Sequence, residues 1–320
     1  MTIPVLFLMG PTASGKTAAA CALARRFPVE IINVDAAQVY RGLDIGTAKI
    51  GPSERAAYPH HLIDIRDPDE TYSAALFRDD ALRLIEEARV RGRLPVLVGG
   101  TMFYFHALVH GLPELPSADP RIRAEIESRA AAEGWPALHR TLAEIDPDRA
   151  RALSPNDGQR IQRALEINAL TGGNVGPAPP GRSSPPWPLI KLALAPAARA
   201  NLHRRIEERF GRMVDKGLIQ EVSALLERYG GSVEPPALKM VGYRQVCDYL
   251  KGKTSYNRMM EASIAATRRL AKRQLTWLRN QSAVTWVDSD HPRAVEGICR
   301  YLESSPRLVE VSRPGFFQAF

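Results

Sequence analysis

An apolar run, Ile3 to Met9 (IPVLFLM), passes directly into Gly10-Pro11-Thr12-Ala13-Ser14-Gly15-Lys16-Thr17, and an alanine-rich stretch with helical spacing, Lys16 to Phe27, follows at once. No other feature constrains the fold as tightly. The octapeptide matches GxxxxGK[ST], and it lies where a phosphate-binding loop must lie, between a buried strand and the first turn of a helix. Glycines at both ends let the backbone wrap an anion with several N–H groups pointing inward, and the helix N-terminus adds partial positive charge. The motif predicts that Lys16 reaches the terminal phosphates and that Thr17 holds Mg²⁺. Kinases, motors, switches and some transferases share such a loop, so it names a ligand chemistry and not a reaction.

The pattern around the loop predicts the fold class. Val29 to Val34 (VEIINV) and Leu94 to Val98 (LPVLV) read as strands buried on both faces, with a weaker third at His61 to Ile65. A helix capped by Ser73 runs to about Arg91 between them. Alternating strands and helices predict an α/β fold with a P-loop NTPase-like parallel sheet. From about Leu115 to Thr171 every periodic segment reads as helix, with Asp119-Pro120 opening one and Gly172-Gly173 closing another. Strand character resumes at Leu189 to Leu194, after the proline-rich loop Pro177–Pro188, and helices follow at about Ala198–Lys216, Ile219–Tyr229 and Tyr256–Arg279. Val284 to Val287 reads as a last strand. The expected domains are therefore 1–115 with 188–320 as the α/β core, and 116–187 as a mainly helical insertion.

Composition narrows the partners. Forty-three Lys and Arg against 35 Asp and Glu leave a formal charge of +8, which suits a polyanion. Three scattered cysteines, Cys21, Cys247 and Cys299, support neither a disulfide framework nor a cysteine zinc site. No stretch approaches the ~20 apolar residues of a membrane span. A cytoplasmic chain without a membrane partner is expected.

Asp35 closes the second strand and so falls on the sheet edge that lines the ligand crevice. There it is placed to take a proton from a nucleophile, though a turn aspartate would also fit. Thr101 follows the Gly99-Gly100 turn at the mouth of the next strand and reads as a ligand contact or a helix cap. That strand ends without the aspartate that motor ATPases set beside Mg²⁺, and no NKxD sequence is present, so a motor and a GTP switch are disfavoured. Arg205, Arg209 and Arg212 share one helix face, fit either to clamp a diphosphate or to sit in solvent beside Glu207 and Glu208. Arg268 to Arg279 (RRLAKRQLTWLR) interleaves five cations with a tryptophan, over an apolar face of Met260, Ile264, Ala271 and Leu278. His106 and His110 have the spacing of a metal pair but lack a third ligand.

Together these motifs resemble the tRNA dimethylallyltransferase (tRNA isopentenyltransferase) family. The resemblance runs through GPTASGKT (Gly10–Thr17), VDAAQVYRGLDIGTAK (Val34–Lys49), HHLIDIRDPDETYSAALFRDDA (His60–Ala81) and LVGGTMFYF (Leu97–Phe105). It continues through LPSADPRIR (Leu115–Arg123), PNDGQRIQRALEI (Pro155–Ile167), VGYRQ (Val241–Gln245) and ATRRLAKRQLTWLR (Ala266–Arg279). Ala36 departs from the family's usual serine, and the tail Arg307–Phe320 has no family counterpart.

The resemblance implies a dimethylallyl transfer from dimethylallyl diphosphate to the exocyclic amine of the adenosine 3′ of the anticodon in tRNA. It gives the phosphate loop (Gly10, Pro11, Thr12, Ala13, Ser14, Gly15, Lys16, Thr17) to the prenyl diphosphate and not to ATP. Lys16, Arg209 and Mg²⁺ on Thr17 would steady the leaving diphosphate. Asp35 would be the general base, with Thr101 positioning the reactants. A hole between core and insertion would receive the adenine. It implies tRNA contacts at Asp35, Ala36, Ala37, Gln38, Thr101 and Arg123, and at Gln159, Arg160, Ile161, Gln162 and Arg163. Further contacts would fall on Lys239, Met240, Val241, Gly242, Tyr243 and Arg244, and on Lys272, Arg273, Gln274, Leu275, Thr276, Trp277, Leu278 and Arg279. A monomer is expected. The alternative that explains the loop and Asp35 alone is a small-molecule ATP kinase. A nucleotide-gated RNA-binding module would use the charge but not the acid.

Overall fold

The computed structural model describes residues 3–113, 115–173, 185–229 and 235–304. In chain order, β1 (Val5–Met9) leads through the phosphate loop into α1 (Lys16–Arg26) and β2 (Val29–Val34). The short α2 (Pro52–Ala57), β3 (His60–His61), α3 (Ala74–Val90), β4 (Leu94–Gly99) and α4 (Met102–His110) follow. Four helices come next: α5 (Pro120–Glu133), α6 (Trp135–Ile145), α7 (Pro147–Arg151) and α8 (Gly158–Thr171). The chain returns with β5 (Leu189–Ala195), α9 (Arg199–Asp215), α10 (Leu218–Tyr229), α11 (Tyr243–Leu250), α12 (Tyr256–Arg279), β6 (Thr285–Asp288) and α13 (Ala294–Glu303). No described helix is long and apolar enough to cross a membrane.

The residues divide into two compact units, Met1–His110 with Ser184–Phe320, and Gly111–Ser183. The first is built on one parallel sheet in the order β3-β2-β4-β1-β5-β6. Strands β1 and β4 lie in its interior and are buried at every position, as their unbroken apolar runs require. Side chains alternate between two cores. Phe7, Met9, Ile32, Val34 and Leu97 face one side with Phe77 of α3 and Phe105 of α4. Leu6, Leu8, Ile31, Val96 and Leu192 face the other with Leu23 of α1 and Leu302 of α13. Because all strands are parallel, the loops after β1, β2, β4 and β5 emerge along one edge.

The second unit packs Ile126, Leu138, Leu142, Ile161 and Leu165 into a core of its own. Its helix ends follow from the sequence: Asp119 accepts from Arg121 N and Ile122 N, Asp157 accepts from Arg160 N, and Gly172 closes α8 at φ 63°.

Two expectations need correction. The third strand is two residues long and does not run from His61 to Ile65. Leu62 and Asp64 sit at φ 63° and 57°, which breaks the ladder and turns the Asp64 carboxylate to Lys49 and Arg55. On α12 the buried stripe is Met259, Ser263, Ala266, Ala271, Gln274 and Leu278, so Met260 and Ile264 lie beside the core rather than in it. Residues 177–184 of the proline-rich loop and the tail 307–320 lie outside the described residues.

Candidate active site at the sheet edge

The phosphate loop carries its chemistry in its backbone. Helix α1 starts without a side-chain cap: its N-cap is Gly15 at φ 87°, a left-handed conformation open to glycine. Helices α3, α5 and α8, by contrast, are capped by Ser73, Asp119 and Asp157. The first N–H groups of α1 therefore have no side-chain acceptor and are free for an anion.

Lys16 folds back onto its own loop, donating to Pro11 O at 2.7 Å. Withdrawal from water pushes its ammonium down to about 7, while the Asp35 carboxylate pulls it up and Arg209 pushes it further down. Arg209, on α9, donates from Nη2 to Thr47 O at 3.2 Å. Desolvation lowers its pKa too, against the pull of Asp35. Two cations thus flank one carboxylate, and each rests on a neutral carbonyl.

Asp35 is fixed by its neighbours. Its Oδ1 accepts from Ala37 N at 2.9 Å and Gln38 N at 3.4 Å, which leaves Oδ2 open among the described residues. Thr101 joins this loop to the turn after β4. Its Oγ1 accepts from Ala36 N at 3.0 Å, and its N–H donates to Val34 O at 3.1 Å. The contact uses only the backbone of residue 36, so alanine serves there. Gln38 donates from Nε2 to Thr47 O at 3.1 Å, sharing that carbonyl with Arg209.

Gln274 ties the far side together. Its Oε1 accepts from Thr12 N at 2.9 Å and its Nε2 donates to Gly100 O at 2.8 Å. A Cβ on Gly100 would lie 2.4 Å from that amide nitrogen, so the strut needs glycine. Gln274 is buried and occupied in this contact; it is a support for the phosphate loop rather than a surface for RNA. Thr17 lies exposed on the first turn of α1 with no side-chain hydrogen bond among the described residues. In phosphate loops of this pattern the Ser/Thr hydroxyl shares Mg²⁺ with substrate phosphate oxygens and water, and the exposed Thr17 hydroxyl fits that contribution.

The remaining expected contacts divide by burial. Lys239, Arg244, Lys272, Arg273, Thr276 and Arg279 are exposed in the first unit, and Gln159 and Arg160 in the second. Leu275, Met240, Val241 and Trp277 are half-buried. Ile161, Tyr243 and Leu278 are core side chains and Gly242 is enclosed, so none offers a side chain to RNA. Arg123 and Arg163 both close on Glu166, at 2.8 and 2.6 Å, and Arg163 also donates to Pro116 O. Gln162 donates to Arg123 O and Glu127. Arg205 pairs with Asp290 at 2.7 Å, which removes it from any diphosphate clamp, and Arg212 is exposed beside Glu208 at 3.9 Å. His106 packs edge-on against Trp277, and no cluster of three metal-ligating side chains occurs among the described residues. The strut role of Gln274 and the ion-pair role of Glu166 carry no signal in local sequence spacing.

Comparison with known proteins agrees with this geometry. The family model described as IPP transferase matches residues 38–281, and that of isopentenyl transferase matches 3–65. The tRNA dimethylallyltransferase of Alkalilimnicola ehrlichii is 55% identical over 294 residues, 91% of this chain and 93% of that protein. That of Methylococcus capsulatus is 53% identical over 90% of this chain and 93% of its own. The crystal structure of the tRNA isopentenylpyrophosphate transferase of Bacillus halodurans superposes with a TM-score of 0.70 at 40% identity, covering 97% and 98% of the two chains. A eukaryotic dimethylallyltransferase captured acting on tRNA superposes at 0.76 and 25% identity, covering 98% of this chain and 81% of that one. The fold is P-loop NTPase-like, and the activity is prenyl transfer rather than the phosphoryl transfer of a kinase. The loop, the acid at the sheet edge and the match along nine-tenths of the sequence agree: this chain belongs to the tRNA dimethylallyltransferase family of IPP transferases.

Proposed function

We propose that the sheet edge binds dimethylallyl diphosphate and transfers its prenyl group to the exocyclic amine of the adenosine 3′ of the anticodon in tRNA. The observation that carries this reading is the pairing of two cations, each resting on a neutral carbonyl, with one oriented carboxylate. Among the described residues neither Lys16 nor Arg209 makes a direct ion pair, so both can turn their donors to a diphosphate, and the uncapped N–H groups of α1 add to them. As the allylic C–O bond breaks, negative charge grows on the leaving diphosphate, where these donors stabilise it. The adenine amine forms the new N–C bond and gives its proton to Oδ2 of Asp35, which Ala37 N and Gln38 N leave free. Thr101 keeps that loop in register. Mg²⁺ held through Thr17 would supply further charge neutralisation at the diphosphate.

The adenine must leave its stack to reach the acid. Exposed cations of α12 (Lys272, Arg273 and Arg279), with Lys239 and Arg244, would bind the RNA backbone of the anticodon stem-loop. In this reading the protein works as a cytoplasmic monomer. The test is an incubation with Mg²⁺, radiolabelled dimethylallyl diphosphate and unmodified tRNA, followed by nuclease mapping. Label on the adenosine 3′ of the anticodon is expected. Label absent across a panel of tRNAs, from protein that still binds the diphosphate, would contradict the assignment of donor and acceptor.

A further inference from the structure

We infer that Glu221 is a positioning residue for prenyl transfer: it clamps the Asp44–Thr47 turn, whose last carbonyl aims both Arg209 and Gln38 into the site. The inference rests on the reading of Arg209 as the diphosphate arginine.

Glu221 lies on α10, away from the phosphate loop in sequence. Its Oε2 accepts from Asp44 N at 3.0 Å and Ile45 N at 2.7 Å, and its Oε1 accepts from Gly46 N at 3.1 Å. Three consecutive backbone N–H groups thus converge on one carboxylate. Such a concavity is an anion-binding nest, and here the chain fills it with its own side chain. The fully buried Tyr243 gives a fourth bond, from its hydroxyl to Oε1 at 2.6 Å. Its ring also lies so close to Gly46 that a Cβ there would fall 2.6 Å from it. Glu221 accepts from neutral dipoles only, among the described residues, so its charge is spent on holding the turn.

The turn ends where the site begins. Thr47 donates its hydroxyl to Leu43 O at 2.6 Å, which fixes its orientation. Its carbonyl then accepts from Arg209 Nη2 at 3.2 Å and Gln38 Nε2 at 3.1 Å. One oxygen therefore sets the diphosphate arginine and a side chain of the Asp35 loop together. A shift of the turn moves both, and misplacement of about 1 Å can cost about a hundredfold in rate. In Glu221→Gln the shape is kept, but one acceptor oxygen becomes an NH₂ group facing backbone N–H donors. The turn loses its anchor without a cavity being made.

The test is a double-mutant cycle on the full chain with Glu221→Gln and Arg209→Lys, reading kcat and KM for dimethylallyl diphosphate at saturating tRNA, and Tm. Glu221→Gln is expected to lower kcat by about tenfold and Arg209→Lys by about a hundredfold. The double variant is expected to be slower than Arg209→Lys by about two- to threefold rather than tenfold, because the share of the loss that runs through Arg209 is already gone and only the share through Gln38 remains. A double variant slower by the product of the two effects overturns the inference, as does Glu221→Gln with wild-type kcat. A silent Arg209→Lys would instead show that the reading of Arg209 itself has failed. Should Glu221→Gln fail to fold, Tyr243→Phe takes its place in the cycle: a smaller loss that again shrinks in Arg209→Lys supports the clamp, and a loss that multiplies overturns it.

Discussion

Two pairs of cations, one in each unit of this molecule, are held in opposite ways. At the sheet edge, Lys16 and Arg209 rest on the carbonyls of Pro11 and Thr47. In the helical unit, Arg123 and Arg163 close on Glu166, a fully buried carboxylate that also accepts from Asp119 N. A carbonyl satisfies a donor without cancelling its charge, whereas a carboxylate does both. The first arrangement keeps positive charge available for a diphosphate, and the second uses it to pin α5 against α8. Charge count alone does not separate them; the acceptor does.

The contrast breaks most sharply at Lys16. Lys16→Ala is expected to lower kcat/KM for dimethylallyl diphosphate by a hundredfold or more, on the scale of losing one transition-state donor. Thermal stability should hold or rise, because a desolvated cation disappears; steady-state kinetics beside a melting curve checks both. Glu166→Ala should do the reverse. It leaves two arginines without their anion and should destabilise residues 120–171 by roughly 3 kcal/mol, while the KM for the diphosphate substrate stays put. Hydrogen exchange of that segment is the readout. Burial pushes the Glu166 carboxyl up, but its bonds from Arg123, Arg163 and Asp119 N outweigh this and hold it below the usual range. A carboxylate with a lowered folded-state pKa adds stability above its unfolded value and loses it as the pH falls through the folded one. Protection factors in the second unit, taken against the intrinsic exchange rate at each pH, should therefore fall on acidification, and less so in Glu166→Gln.

The smallest effect sharpens the same point through protons. Lys16 titrates near 7 when free, and a bound diphosphate favours its charged form. Below that pH the lysine is already charged; above it, binding must take up a proton. Affinity for inorganic diphosphate should thus fall by up to about tenfold per pH unit above 7, with calorimetry in two buffers showing proton uptake. The same titration in Lys16→Ala should lose that slope.

The sequence was legible where the chemistry is local. The phosphate loop, α1 and Asp35 lie within one strand–turn–helix passage and its neighbour, and periodicity suffices for β1, β2 and β4. Burial of a polar residue is not local. Gln274 reads as part of a basic RNA-facing helix, yet its partners are Thr12 and Gly100, 262 and 174 residues away. Glu221 reaches Ile45 across 176 residues, and no spacing rule links them. Arg123 and Arg163 match the family's RNA contacts by motif, but only the fold shows Glu166 between them. The His61–Ile65 strand fails for a related reason: the Lys49 and Arg55 pairing of Asp64 favours two left-handed residues over β propensity.

The proposed reaction divides its labour at the sheet edge, with cations for the diphosphate and Asp35 for the proton. Single-turnover transfer from labelled dimethylallyl diphosphate by Asp35→Asn, with diphosphate affinity measured on the same protein, tests it most directly. Transfer should slow by about 10²–10⁴-fold while diphosphate affinity is undiminished, since the lost anion sat beside Lys16 and Arg209. Transfer at the wild-type rate would contradict the role of Asp35, and a loss confined to diphosphate affinity would show that the acid serves the donor instead.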